Sequence, residues 1–291
     1  MPIFKIDDKH VKQVKTAEFR NEKELQTLIE GNLEEIFGVK FIETEFFTGE
    51  KHGGRIDTLG LDENNTPVII EYKWGEKDNI INQGLFYLDW LTDHKGDFQV
   101  AVERKLGKKT KIDWGQSRLI LVAASFSKYD KHAINSMAEN IELWTYSLYE
   151  SGLLEVQTEA NTQSSSVKRS KKLSRSGEHY DLNYHLSQTT KELKGRFQEV
   201  RDKIVELPNV TEKLEQRSGI TYRTTKSFVR FEFKKSYVQV LLRQHRYNDP
   251  QHLVKDISSF EWGYKGMVKL LPDSDISCIF DLIKLSYNDT L

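Results

Sequence analysis

Asp57, Glu71 and Lys73 stand in the segment GGRIDTLGLDENNTPVIIEYKW, residues 53–74, which reads as strand, polar turn, strand. Side chains alternate faces along a strand. In VIIEYK, residues 68–73, Ile69, Glu71 and Lys73 therefore share one face, and Val68, Ile70 and Tyr72 share the other. The turn signal is DENNTP, residues 62–67, with Asn-Asn and a following Pro. With a loop over 62–66, Asp57 falls opposite Glu71, and opposed Cβ atoms are about 5 Å apart. Two carboxylates at that range repel unless a cation sits between them. Mg²⁺ suits the place, because it takes hard oxygen ligands and one or two carboxylates beside water. A two-residue loop would shift the register by one and send Asp57 to the other face.

This pattern resembles the PD-(D/E)xK nuclease superfamily, with Asp57 followed by Glu71-Tyr72-Lys73. The flanks GRID (54–57) and VIIEYK (68–73) are similar to the branch that contains single-strand and mismatch endonucleases. Gln83 and Tyr87 form Q-x-x-x-Y, the additional motif of the RecB-like branch, and positions four apart share a helix face. Ile56 stands where the superfamily name has Pro. The resemblance spans roughly residues 20–150.

That resemblance implies a divalent-metal-dependent endonuclease acting on DNA, with Mg²⁺ or Mn²⁺ as cofactor. Asp57, Glu71 and the backbone carbonyl of Tyr72 would be the metal ligands. Lys73 would orient or deprotonate the attacking water, and Gln83 and Tyr87 would position the substrate backbone. It also implies a metal-supporting glutamate on the upstream helix, NEKELQTLIEGNLEEIF (21–37); position and spacing select Glu24, with Glu30 next. The alternative is a nucleic-acid-binding or interaction module of the same fold, inactive or switched on only by a partner.

The elements that must hold these residues follow from periodicity. The helix at 21–37 carries an apolar stripe of Leu25, Leu28, Ile29, Leu33, Ile36 and Phe37, and Gly38 is placed to end it. FKI near the start reads as an edge strand, and KFIETEFFT (40–48) as a strand. A second helix is expected from the cap Asp78 to about Asp93. Strands are expected at 97–103 and 118–124, then a helix at 129–139 and a strand at 141–147. RLILVAA (118–124) is nearly all apolar, as a strand covered on both faces must be. The fold class read here is α/β: a restriction-endonuclease-like mixed-sheet core flanked by helices, plus a C-terminal α+β domain.

The expected domains are 1–156 (nuclease-like), 157–184 (a serine-rich basic linker) and 185–291. Within the linker, Lys168, Arg169, Lys171, Lys172 and Arg175 form a dense basic run that could contact phosphates. The last segment reads as a helix at 186–207, a second helix at 209–219, a β-hairpin at 227–246, a strand at 262–271 and a closing helix. It resembles a small domain of unknown function found behind nuclease-like domains in chains labelled predicted transport proteins. Arg230, Arg243 and Arg246, with neighbouring aromatics, could form a face for single-stranded nucleic acid. A protein partner through 185–291 and a homodimer are both compatible with this organisation.

Composition narrows the classes. With 43 Lys and Arg against 44 Asp and Glu, no global basic field exists, so nucleic-acid binding would need local patches. The single cysteine, Cys278, excludes disulfide frameworks and cysteine zinc sites and fits a reducing cytoplasm. No apolar run approaches a membrane span, and the N-terminus lacks a signal-peptide core.

Overall fold

A tight turn organises the strand pair that carries the two acids. Asp62 Oδ1 accepts the amides of Asn64 (2.8 Å) and Thr66 (2.9 Å), and Asn65 sits in the left-handed region at φ 59°. Short polar side chains support such a turn by bonding their own backbone. The strands it joins pair Thr58 with Ile70 and Leu59 with Ile69, which is the register expected from a loop over 62–66. The computed structural model describes residues 2–50, 52–75, 79–115, 117–162, 180–214, 216–243, 247–259 and 263–291.

In chain order, a hairpin of β1 (Ile3–Asp7) and β2 (His10–Val14) forms a two-stranded sheet of its own, where a single edge strand was expected. Then come β3 (Thr16–Ala17), α1 (Glu22–Glu30), α2 (Leu33–Phe37), β4 (Val39–Phe47), β5 (Arg55–Asp62) and β6 (Pro67–Lys73). They are followed by α3 (Ile80–Asp93), α4 (Lys95–Leu106), β7 (Arg118–Ala123), α5 (Lys128–Ile134), β8 (Asn140–Tyr149) and β9 (Leu153–Asn161). The main sheet runs β3-β8-β7-β6-β5-β4, with β9 also paired to β8. Strands β6, β7 and β8 are parallel, and the other pairings are antiparallel. The chain is thus mixed α/β, with a mixed sheet flanked by helices, as its sequence pattern indicates.

The two faces of this sheet bury different residues of the same strands. Val68, Ile70 and Tyr72 pack with Leu25, Ile29, Leu33 and Phe37 of α1 and α2. Ile69, Leu119 and Leu121 pack with Leu88, Leu91 and Phe98 of α3 and α4. Helix α3 lies very close to β7: a Cβ at Gly84 would come within 2.8 Å of Leu119. Every residue of β7 is buried, which explains the apolar run Leu119–Ala123 that follows the ion-paired Arg118.

The second half is built from α6 (Leu182–Ser187), α7 (Lys191–Val205), β10 (Thr211–Lys213), β11 (Ile220–Arg223), β12 (Ser227–Phe233), β13 (Val238–Leu242), β14 (Lys255–Asp256), β15 (Gly266–Leu270) and α8 (Ile276–Asn288). Its antiparallel sheet runs β10-β11-β12-β13-β15-β14, and α7 and α8 pack on one face through Phe197, Val200, Leu282 and Ile283. The opposite face meets the 62–66 turn of the main sheet: Tyr264 Oη donates to Asn64 Oδ1 (3.0 Å), and Gln216 Nε2 donates to Thr66 Oγ1 (3.0 Å).

Two expected elements take the opposite secondary structure. The strand expected at 97–103 is helix α4, which buries Phe98, Ala101 and Val102 while Val100 faces solvent. Those buried positions follow the helical i, i+3, i+4 spacing, which outweighs the local alternation. The helix expected at 209–219 holds the edge strand β10, whose Glu212 receives Arg201 at 2.7 Å. A tertiary pairing with β11 replaces local helix propensity there. Strand β9 also continues to Asn161, into the segment read as linker.

Candidate metal and phosphate site

Asp57 and Glu71 are fastened by each other's strand. The Asp57 amide donates to Glu71 Oε1 (3.1 Å), and the Tyr72 amide donates to Asp57 Oδ2 (3.0 Å). The other oxygen of Glu71 accepts Gln83 Nε2 at 2.6 Å. Helix α3 thereby joins the site, because Ile69 and Glu71 point to its face. Tyr87, one turn after Gln83, accepts the Arg55 amide on its hydroxyl at 3.1 Å. A Cβ at Gly54 would stand 2.7 Å from the Tyr87 ring, so the absence of a side chain there lets the loop before β5 close on α3.

The two acids are costly as anions. Burial, only partly opposed by the Tyr72 amide and by Lys73, pushes Asp57 from an ordinary 3.8 up to about 6. Burial, followed by the charge of Asp57, holds Glu71 well above the usual carboxylate range. Among the described residues neither carboxylate has an ion-pair partner of its own. The nearby ammonium of Lys73 lies 3.4 Å from Glu22 instead. Buried, unneutralised hard-oxygen donors are a fitting place for a divalent cation. Among the described residues no three Asp, Glu, His or Cys side chains converge on one point. Two carboxylates suffice for an ion that keeps waters and takes substrate oxygens.

Helix α1 presents a different glutamate from the one selected by spacing. Glu24 is turned away: its carboxylate pairs with Arg20 at 2.9 Å and accepts the Arg20 amide at 2.7 Å. Glu22 faces the site, reaching Lys73 and accepting the Trp74 amide at 3.1 Å. Gln26 donates to the Asp57 carbonyl at 2.9 Å and to Glu30 at 3.0 Å, and Glu30 also accepts Thr58 Oγ1 at 2.6 Å. Residues 22, 26 and 30 form one stripe beside the core-facing Leu25 and Ile29, and residue 24 falls on the far side. That phase was the signal available in the sequence for Glu22.

The arginines expected to face nucleic acid in the second half lie inside the protein. Arg230 donates to Asn64 Oδ1 at 3.1 Å, pairs with Glu232 and covers the Tyr264 ring. Arg243 pairs with the fully buried Glu63 at 2.8 Å. An alternating strand shows that it has two faces, but not that the polar one is covered. Lys168, Arg169, Lys171, Lys172, Arg175 and Arg246, and the expected cap Asp78, lie outside the described residues. Asn79, at φ 98°, precedes α3.

No protein-family model matches the chain. It is 27% identical over 306 residues to an uncharacterized protein of Haemophilus influenzae, with 99% of this chain and 100% of that protein covered. A chain in the solved structure of an EndoMS–dsDNA2 complex shares 22% identity over 47% of this chain and 48% of its own, at a TM-score of 0.26. Among the described residues no helix is long and apolar enough to cross a membrane.

Proposed function

We propose that the protein is a divalent-metal-dependent nuclease that hydrolyses phosphodiester bonds in DNA. The observation that supports this most is the pair Asp57 and Glu71, buried side by side on one hairpin with no ion-pair partner among the described residues. Asp57, Glu71 and the carbonyl of Tyr72 would hold Mg²⁺ or Mn²⁺. The bound ion supplies a low-pKa water and draws charge from the phosphate.

The protein's own groups do the positioning. The amides of Asp57 and Tyr72 hold the two carboxylates in place before substrate arrives. Gln83 fixes the second oxygen of Glu71, so a metal would meet a carboxylate that cannot rotate. Lys73, with a side chain 17% exposed, is the cation free to swing from Glu22 toward a phosphate oxygen. There it orients the attacking water and stabilises the charge that develops on the phosphoryl oxygens. Glu22 takes the helix role assigned by spacing to Glu24, holding Lys73 ready from α1. Tyr87, bonded to the amide of Arg55, keeps the loop before β5 against α3 beside the reacting phosphate.

The test is a labelled panel of single-stranded, duplex and forked DNA plus RNA, incubated with the purified protein in Mn²⁺ beside Lys73→Ala. Cleavage of DNA that falls by about 10²–10³-fold in the variant is expected. Equal cleavage by Lys73→Ala would refute the assignment. DNA bound but never cut by the wild type would favour a non-catalytic binding module.

A further inference from the structure

A small cavity lies where the two halves of the chain meet, bordered by β7, β8, β10, β11 and the 62–66 turn. Its volume of about 10 Å³ leaves room for one water-sized group. The first half contributes Asp62, Arg118 and Asn140 to the wall, and the second contributes Lys213 and Arg223. All five are buried. Three cations thus face one carboxylate across the cavity. A second carboxylate, Glu142, is shared between two of them: it pairs with Arg118 at 3.0 Å and lies 3.5 Å from Arg223. Two negative charges against three positive leave one positive charge over. Glu63 and Glu232 do not supply the difference, because they are taken by Arg243 and Arg230. The surplus also shows in the hydrogen bonding. Arg118 spends Nε and Nη2 on Glu142, at 3.0 and 3.2 Å, and its buried Nη1 has no hydrogen-bond partner among the described residues. Asp62 Oδ2, at 3.8 Å, is too far to accept it. Burial, followed by the charge of Arg118, lowers the Arg223 guanidinium below its ordinary value, so the two arginines crowd each other.

We propose that this cavity binds a monovalent anion of the size of chloride, which ties Arg118 of the first half to Arg223 and Lys213 of the second. The proposal stands independently of the nuclease reading. Charge selects an anion over a water molecule: a water could accept from Arg118 Nη1 but would leave the surplus charge, and an uncompensated buried charge costs more than an unmade hydrogen bond. Volume selects a halide over an oxyanion, since room for one water-sized group does not admit phosphate or sulfate. The neighbourhood gives the ion a task. Asp62 holds the amides of Asn64 and Thr66 in the turn that joins the two acid-bearing strands, and Lys213 Nζ reaches Asn140 Oδ1 at 2.6 Å across the junction. An ion held here by both halves stabilises their contact at that turn, because it binds only the assembled arrangement.

The experiment follows thermal unfolding of the full chain at constant ionic strength while sodium gluconate is replaced by sodium chloride. The melting temperature should rise and then saturate, as filling of one site requires, and bromide should act as chloride does. Asn140→Asp places a carboxylate beside Lys213 in the anion's stead. This variant should lose the chloride response and keep the general stabilisation that sulfate gives any protein by its exclusion from the surface. A chloride response that is equal in the two proteins, or that never saturates, is a bulk salt effect and overturns the proposal. The second readout is the chlorine NMR line width of chloride in the presence of the native wild-type chain. Broadening that bromide displaces is expected. Its absence overturns the proposal and assigns the cavity to water, and this measurement decides the matter alone if Asn140→Asp does not fold.

Discussion

The β5–β6 hairpin carries acids at both ends, and the protein treats them in opposite ways. At the turn, Arg118 of β7 lies 3.8 Å from Asp62 and pairs at 3.0 Å with Glu142 of the nearby β8, Arg223 lies 3.5 Å from Glu142, and Arg243 pairs with Glu63. Burial alone would raise Glu142, but the charges of Arg118, Arg223 and Lys213 hold it well below the usual carboxylate range. Glu63 is an exception, since its complete burial outweighs Arg243 and keeps it raised. At the open end, about 17 Å away by strand rise, Asp57 and Glu71 are buried without such partners among the described residues, and both are raised. Where the acids are structural, β7 supplies one cation, Arg118, and the second half of the chain supplies Arg223 and Arg243. Where they are not matched, the missing positive charge is the part that the divalent metal of the proposed function would bring.

The largest effect should come from neutralising the unmatched end. Glu71→Gln should cut Mn²⁺-dependent cleavage by about 10²–10³-fold, while raising the melting temperature of the metal-free protein, because an unpaired buried charge is removed. A melting temperature that falls with this substitution would show that Glu71 is part of the structural framework after all. The matched end should respond with the opposite sign: Glu142→Gln, which leaves Arg118 and Arg223 short of their counter-charge, should cost about 3–5 kcal/mol in urea unfolding. An unaltered urea midpoint would break the comparison.

The smallest and most diagnostic effect is on pH. Asp57 is raised in the folded state, so the folded protein binds more protons than the unfolded chain between 3.8 and about 6. Stability without metal should therefore decline as pH rises through that window. Glu142 is lowered, so its contribution is present above the ordinary glutamate range and is lost as pH falls through it. Melting temperature followed from acid to neutral pH should pass through a maximum without metal. Added Mn²⁺ should lift only the neutral side, and Asp57→Asn should abolish that lift.

The turn signal and the period of two that offered Asp57 opposite Glu71 are local, but the loop length that selects this register over a one-residue shift was supplied by the Thr58–Ile70 pairing. The central strand β7 was legible from a local pattern, since only a strand covered on both faces tolerates RLILVA. Helix α4 was misread because Phe98, Val100 and Val102 alternate by chance within a longer helical stripe. That Glu22 and not Glu24 reaches Lys73 was not legible, because a choice among Glu22, Glu24 and Glu30 needs the phase of α1 relative to the sheet, and that is set by where Leu25 and Ile29 are buried. Arg230 and Arg243 looked available because an alternating strand reports that a polar face exists and not what lies on it.

By itself the sequence determined the helices α1 and α3, the central strand β7, the strand pair β5–β6 and the chemical types that pair holds, since these follow from periodicity and turn chemistry within a few residues. Tertiary structure decided which charges are neutralised. Glu63 and Arg243 are 180 residues apart in the chain, and their pairing depends on two sheets meeting at the 62–66 turn. The ring contacts of His52 with Phe86 and His94 likewise exist because the loop holding His52 closes against α3. Electrostatic compensation and ring contact act through space over a few ångströms, and no local pattern encodes which distant residue will occupy that space.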